Sequence, residues 1–185
     1  EFRRVLFRSS TFQGNLVADF AANAMDNTVT VTGGLLTTDA ITALYTTEAT
    51  YAAKVSAVEI LNVSMVEAGT KTLTFNLENV TGATTLATTV DDLDTVTYTN
   101  LGTENIQIVS AKDDSTVEGQ LVSSAGSTDT VSFELKDAGG NAVEAGVKLK
   151  TTDVETVTVK ASTAESVDLS ALSMATGVMT LNATG

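Results

Sequence analysis

Residues 58–88 read VEILNVSMVEAGTKTLTFNLENVTGATTLAT, and residues 154–185 read VETVTVKASTAESVDLSALSMATGVMTLNATG. Each stretch contains a short strand pattern, a turn, a second strand pattern, a turn with Thr-Gly and a third strand pattern. Three strands in roughly 30 residues suit one coil of a β-solenoid, whose coils stack on one another. The two stretches therefore predict an all-β fold: a β-solenoid-like stack of short Thr- and Val-rich strands.

A shorter pattern recurs along the chain: an acidic residue followed by apolar residues two and four positions later. Because successive side chains of a strand point to opposite faces, this spacing places all three on one face. We expect the apolar residues to form the core and each acid to lie at the solvated end of a strand, where its charge discourages edge-to-edge aggregation. The alternative is a ladder of aligned carboxylates that repel one another and attract a cation. The copies begin at Glu59, Asp94, Glu104, Asp129, Glu155 and Glu165.

The rest of the chain after residue 57 shows the same rhythm of short strand patterns separated by Gly, Asn or Asp. Such spacing is typical of a sandwich, a barrel or a solenoid. A solenoid requires parallel strands in register from successive coils, whereas a sandwich requires antiparallel pairs. Strands are expected to begin near residues 58, 71, 84, 94, 104, 117, 130, 147, 154, 165 and 178.

Two segments depart from this rhythm. Residues 39–55 have apolar residues at helical spacing behind a possible cap, so we predict one short helix there. Residues 136–141 read KDAGGN, which predicts a hairpin turn, so we expect a hairpin or a longer excursion from the stack in the segment 129–152. The expected organisation is an N-terminal strand (28–32) plus the helical segment in residues 10–56, then a β-repeat region over residues 57–185 with units from 58 and 154.

Residues 1–9, EFRRVLFRS, resemble the translation of a sequencing-library adapter, so we expect them to be non-native and exclude them from the fold prediction. They hold all three arginines of the chain. Without them, seven basic and 22 acidic residues remain. The sequence on this reading belongs to a fragment of a longer protein.

Composition narrows the possible functions. The whole chain has a net charge of −13 and lacks His, Cys, Trp and Pro. Such an acidic chain cannot build the phosphate-neutralising surface that nucleic-acid binding needs. It has no apolar run long enough for a transmembrane helix, so membrane insertion is not expected. Without His or Cys, the common nucleophile pairs are missing, and we expect no enzymatic activity.

Oxygen ligands from acidic turns could hold calcium, a hard cation. None of the clusters has the spacing of an EF-hand loop. The same residues are also favoured in turns for their local hydrogen bonds. The candidate ligands are Asp91, Asp92 and Asp94, then Asp113 and Asp114, and finally Asp137 and Asn141.

Two other functions can be formulated. Paired carboxylates in a groove could support glycoside hydrolysis, although the acidic clusters are flanked by Thr and Ser rather than aromatic residues. Threonines in T-x-T pairs could form a flat face that contacts ice or glycan, but ordinary outward-facing strand positions explain them, and we favour that interpretation. These threonines are Thr28, Thr30, Thr32, Thr95, Thr97, Thr99, Thr156 and Thr158.

The VEILNVS and VETVTVKAS segments, with their Thr-rich strands and T-G turns, resemble the repetitive S-layer and large type I-secreted, adhesin-like surface proteins of Gram-negative bacteria. The resemblance covers most of residues 28–185 and lies in composition and cadence. It implies an extracellular, cell-surface location, a self-assembling scaffold that contacts neighbouring repeats of the same protein, and bound calcium. The family's G-G-x-G-x-D-x-apolar-x calcium repeat is absent, since Gly33-Gly34 and Gly139-Gly140 are isolated pairs.

A second resemblance is local. FELKDAGGNAVEAGVKLKTT, residues 133–152, is similar to a strand–turn–strand stretch of bacterial immunoglobulin-like adhesin domains, with Ala142 where that pattern has Pro. It implies a β-sandwich that binds glycan or a host surface. We therefore expect a calcium-dependent surface scaffold, with an immunoglobulin-like binding module as the alternative.

Overall fold

The computed structural model is all-β. It describes residues 6–8, 14–66, 69–112, 114–122, 129–136, 143, 146–161, 167–170, 172–174 and 180–184. In these residues, strands begin within two positions of every expected start after residue 57. The dominant period-two burial pattern in these strands explains the agreement.

The strands form three sheets, named here A, B and C, in which every pair is parallel. Paired strands stack in chain order, with partners 20 to 32 residues apart. The β-solenoid is therefore confirmed, and most of its coils are shorter than the expected 30 residues.

Sheet A has four strands: β1 (Leu6–Arg8), β3 (Thr30–Thr32), β6 (Lys54–Ser56) and β9 (Val80–Thr81). Sheet B has eight strands: β2 (Val17–Phe20), β4 (Ala40–Tyr45), β7 (Ile60–Met65), β10 (Thr85–Val90), β12 (Asn105–Ala111), β14 (Thr130–Leu135), β16 (Thr156–Ala161) and β19 (Thr180–Thr184). Sheet C has seven strands. Six are in line: β5 (Ala49–Tyr51), β8 (Thr72–Asn76), β11 (Thr95–Leu101), β13 (Thr116–Leu121), β15 (Val147–Val154) and β17 (Val167–Asp168). The seventh, β18 (Leu172–Met174), pairs with β15.

From β3 to β9 the chain visits the sheets in the order A, B, C, and from β10 to β16 it alternates between sheets B and C. The early coils consequently have three sides. After β9, the turn 102–104 leads directly from sheet C to sheet B, and sheet A has no further strand among the described residues. Over the residues that the structure describes, the solenoid thus changes from three sides to two after β9.

The predicted helix at residues 39–55 is wrong. This segment forms strands β4, β5 and β6, one in each sheet. Ile41, Ala43 and Tyr45 are buried while the residues between them are half-buried, which is the period-two pattern of a strand. Three β-strand partners in the next coil stabilise this arrangement, and an isolated helix would lack them.

The predicted hairpin over residues 129–152 is also wrong. β14 pairs with β12 and β16 in sheet B, whereas β15 pairs with β13 in sheet C. The turn at 137–142 lies outside the described residues. The antiparallel geometry of an immunoglobulin-like sandwich is contradicted by the parallel pairing, while the binding role attached to it stays a prediction.

The interior is one continuous hydrophobic core in which side chains stack in register from coil to coil. Tyr51, Phe75 and Tyr98 occupy one column of sheet C. The ring centroids of Phe75 and Tyr98 are 6.5 Å apart with the rings edge to face, a favourable aromatic geometry. The next position in this column is Gly119, where a Cβ would lie 3.1 Å from Ile106 Cδ1.

The corner between sheets A and B brings backbones into close approach. A Cβ on Gly33 would overlap the carbonyl oxygen of Ala57 at 1.6 Å, so only glycine fits there. Ala57 itself has φ 51°, and Gly82 of the following coil packs against its backbone. These three residues define how tightly the first coils turn.

Candidate functional site

The structure separates the carboxylates of the first predicted calcium cluster. Asp91 forms an ion pair with Lys112 at 2.5 Å, and that lysine lowers the pKa of Asp91 below its usual value. Asp94 is fully buried and accepts a hydrogen bond from the backbone N–H of Lys71 at 2.8 Å. Asp92 is exposed. The three residues share a tight turn, with Asp94 N–H donating to Asp91 O, but their side chains face different partners.

The other predicted ligands do not extend this cluster. Asp114 is exposed, has φ 57°, and lies 3.8 Å from the Lys148 ammonium. Asp113, Asp137 and Asn141 lie outside the described residues. Over the part of the chain that the structure describes, no three acidic residues converge in a way that could hold a metal ion.

The acids before the strands of sheet B connect successive coils. Asp39, which precedes β4, is fully buried. Its Oδ1 accepts the N–H of Leu16 from the preceding coil at 2.7 Å, and its Oδ2 accepts the N–H of Gly34. Asp39 N–H in turn donates to Glu59 Oε2 of the following coil at 2.9 Å. Each carboxylate therefore caps the backbone of the coil before it.

The same contact recurs further along the solenoid. Glu155 Oε2 accepts the N–H of Asp129 at 2.9 Å, and Asp94 Oδ1 accepts the N–H of Lys71, 23 residues earlier. The expectation that the acids lie at solvated strand ends is consequently wrong for Asp94, which has no exposed surface. The spacing correctly predicted that the apolar residues of the pattern share the buried face of the strand. The signal for the capping role, which the sequence analysis missed, is the position of the acid just before the first paired residue of the strand.

A groove lies near the turn 102–104 from sheet C to sheet B, between the coil of β11 and β12 and the coil of β13 and β14. Its volume is about 550 Å³. Two acids of the recurring pattern line it, Glu104 and Asp129, beside Leu101, Leu121 and Val122. We call this set the Glu104–Asp129 groove. Sequence reasoning missed it, because its walls are 20 or more residues apart in the chain.

No described lysine forms an ion pair with the two acids of the groove. Glu104 Oε2 accepts the N–H of Gly102 at 2.7 Å, which fixes its carboxylate at the groove wall. Asp129 Oδ2 is buried and has no hydrogen-bond partner among the residues that the structure describes. Among the described residues, the ion pairs involve other acids, namely Asp91, Asp114 and Glu118. The groove therefore combines two negative charges with an apolar wall.

The polar faces of the sheets hold further hydrogen-bonded charges. Glu134, on the outer face of sheet B, accepts hydrogen bonds from Gln107 and Asn105, both at 3.0 Å. The bond from Gln107 is the main cause that lowers the pKa of Glu134. On sheet C, Glu118 is buried at 5% exposure and pairs with Lys150 at 3.1 Å. These contacts join neighbouring strands laterally.

The threonine face is only partly exposed. Thr72, Thr95 and Thr116 form one column across sheet C. Thr97, predicted to belong to the flat face, is 6% exposed, and its hydroxyl donates to Glu118 at 3.4 Å. The T-x-T pattern in β11 therefore contributes to packing between coils as well as to the surface.

These features define a β-solenoid with a core of stacked apolar columns and acid-capped corners. Comparisons of the chain with protein-family models, curated proteins and solved structures find no match. Within the described residues, no helix has the length and apolar character needed to cross a membrane.

Proposed function

We propose that the chain is part of an extracellular scaffold at a bacterial cell surface, which works by self-association and is strengthened by calcium. The observation that supports this proposal best is the strictly sequential, parallel stacking of coils. In such a stack each coil contacts only its neighbours, so the fold provides length and a repeated surface. No catalytic step is part of this role.

The ends of sheet B suit self-association. β2 and β19 are its terminal strands, and each pairs with one other described strand. A terminal strand presents N–H and C=O groups along its outer edge, which are a template for another strand. β2 is also apolar at its edge, since Val17 is 72% exposed. A second copy or a neighbouring repeat would extend the sheet there.

Calcium would act on the surface charge. At a net charge of −13, copies of the chain repel one another. Divalent cations between acidic surfaces would reduce this repulsion, and exposed carboxylates such as Asp92 and Glu78 are available for it. Such cations can bind between copies, and a complete ligand set within one copy is not required.

The test is the association state of the purified chain, measured by sedimentation velocity in chelator and in millimolar calcium. We expect larger species in calcium and a variant Val17→Lys that stays small, because a charge on an edge strand opposes pairing. Val66→Lys is the matched control, since Val66 is also an exposed valine but lies outside the terminal strands.

Identical sedimentation with chelator and with calcium would remove calcium from the proposal. A wild-type chain that is monomeric at every concentration under both conditions would overturn self-association altogether. A Val66→Lys variant that loses association as completely as Val17→Lys would argue against the edge of β2 as the site of contact.

A further inference from the structure

The Glu104–Asp129 groove lies on the side of the solenoid that sheet A occupies in the earlier coils. In the coils of β5 to β10 the chain passes from sheet C through sheet A to sheet B, and at residues 102–104, which line the groove, it passes directly from C to B. The outer face of sheet A and the groove are therefore neighbours along one side of the molecule. This side carries both the groove and the exposed residues of sheet A.

The chemistry of the groove indicates a cationic occupant with an aliphatic portion. Its two carboxylates form no ion pair with a described lysine. Beside them, Leu101 and Leu121 provide aliphatic surface, and Val122 is 69% exposed at the rim. A lysine side chain has the matching parts, because its four-carbon stem packs on apolar surface while its ammonium reaches an acid.

The described groove lining contains no aromatic residue, which makes a sugar a poorer match than a lysine. Ca²⁺ takes six to eight oxygen ligands. The leucine and valine side chains of the groove would therefore contribute nothing to the binding of a single calcium ion. An aliphatic ammonium uses both parts of the groove. These arguments select lysine as the occupant.

Lys54 is the lysine best placed to supply it. It lies on the outer face of β6 in sheet A, opposite the buried Val55, and is exposed. It forms no ion pair with a described residue, in contrast to Lys112, Lys148 and Lys150. Its ammonium is therefore available to a second molecule.

We propose that the Glu104–Asp129 groove binds the Lys54 side chain of a second copy of this chain, in a two-fold symmetric contact. Because groove and lysine lie on the same side, a two-fold axis between two copies brings each lysine to the other copy's groove. Exposed Leu35, at the corner between sheets A and B, adds apolar area on this side. The inference rests on the proposed self-association and specifies a lateral contact in addition to the end-to-end one.

The test is sedimentation of the full chain in chelator at low and high salt. Wild type is expected to dimerise, and Lys54→Gln and Asp129→Asn should each weaken the dimer about tenfold or more, because each leaves a charge without its partner. The charge reversal Lys54→Asp with Asp129→Lys should restore association that either single reversal abolishes. Lys160→Gln, an exposed lysine on sheet B, is the control and should dimerise as wild type does.

Several results would overturn the contact. Unchanged dimerisation of Lys54→Gln would exclude that lysine, and its exposed position makes misfolding an unsuitable explanation. Failure of the double reversal to associate, with melting temperatures equal to wild type, would exclude the pair. If the wild-type chain binds calcium and Asp129→Asn abolishes this binding, the groove is a metal site and the lysine contact is wrong. If Asp129→Asn does not fold, Glu104→Gln replaces it.

This contact and the end-to-end contact can fail separately. If Val17→Lys abolishes all association and Lys54→Gln none, the proposed function stands and the lateral contact is wrong. If Val17→Lys leaves a dimer that Lys54→Gln removes, the lateral contact is supported. A chain that never associates contradicts both.

Discussion

At the scale of single residues, the corner carboxylates are the least expected feature of this fold. A solenoid corner leaves backbone N–H groups near the core without a strand partner, and a buried N–H without a hydrogen bond costs free energy. Asp39 satisfies two such groups, those of Leu16 and Gly34, while it is itself fully buried. In the repeated pattern, Glu59, Asp94 and Glu155 likewise accept a backbone N–H of the preceding coil, so these acids contribute to the joining of coils.

We predict that Asp39→Asn destabilises the fold by about 1–3 kcal/mol, the usual cost of leaving a buried polar group unsatisfied. An amide has one acceptor oxygen, so its NH₂ group would face one of the two N–H donors that Asp39 now accepts. The measurement is the midpoint of urea unfolding at neutral pH. Asp92→Asn, at an exposed position, is the control and should change stability by less than about 0.5 kcal/mol. Equal midpoints for the two variants would contradict the capping role.

The apolar positions of the repeated pattern could be predicted from sequence, whereas the partners of the acids could not. Period two alone determines that Leu61, Val63 and Ile106 share a face, and all three are buried. For Glu59 and Glu155, the partner lies in the preceding coil, 20 and 26 residues away. Its identity depends on coil length, which varies from coil to coil. The Glu104–Asp129 groove escaped prediction for the same reason.

At the scale of elements, the segment 39–55 shows how short strands imitate a helix. Ile41, Tyr45 and Ala49 fit helical spacing, but Ala43 is buried and Leu44 lies on the outer face of β4. The distinction depends on Ala43, whose small side chain gives little periodic signal. Thr-rich sequence favours the strand, because β-branched residues lose side-chain freedom in helices. Pairing with β7 in the next coil then decides the outcome.

The column of Tyr51, Phe75, Tyr98 and Gly119 provides a prediction for a sheet element. Gly119→Ala should destabilise the protein by about 1–3 kcal/mol, because the added methyl group overpacks a filled core. Its Cβ would lie 3.1 Å from Ile106 Cδ1 and 3.2 Å from both Leu101 Cδ2 and Val131 Cγ1. The measurement is the thermal unfolding midpoint, followed by near-ultraviolet circular dichroism.

Gly69→Ala is a contrasting variant for this prediction. No atom lies within 4 Å of a Cβ built on Gly69, so any loss there arises from its φ of 112° and not from packing. If a second change, Ile106→Val, fails to recover part of the loss in Gly119→Ala, the overpacking explanation is wrong.

At the scale of the whole molecule, stability is expected to vary along the axis. Each coil contacts only its neighbours, so coils in the middle have two stabilising interfaces and those at the ends have one. We predict that amide hydrogens of β10 and β12 exchange most slowly in sheet B, and that those of β2 exchange fastest. Hydrogen exchange followed by mass spectrometry measures this directly. Uniform protection from β2 to β12 would show that the stack unfolds as one cooperative unit.

The positions of the strands in the solenoid could be predicted from the sequence better than the connections between them. Eleven expected strand starts after residue 57 agree with the structure, because alternating burial is a local property. The hairpin expected at residues 129–152 failed because turn chemistry does not reveal whether the next strand returns to the same sheet. β14 and β15 follow each other in the chain and belong to sheets B and C.

The end of sheet A at β9 has a consequence for how copies can be arranged side by side. A rod of constant cross-section could slide along a neighbour in steps of one strand spacing, about 4.8 Å, with little change in contact. In the described part of the chain, sheet A ends at Val80–Thr81, which creates a shoulder, so most of these offsets bring a broad section against a narrow one. The shoulder therefore favours one axial offset between neighbouring copies. It also makes the two ends of the solenoid differ in cross-section.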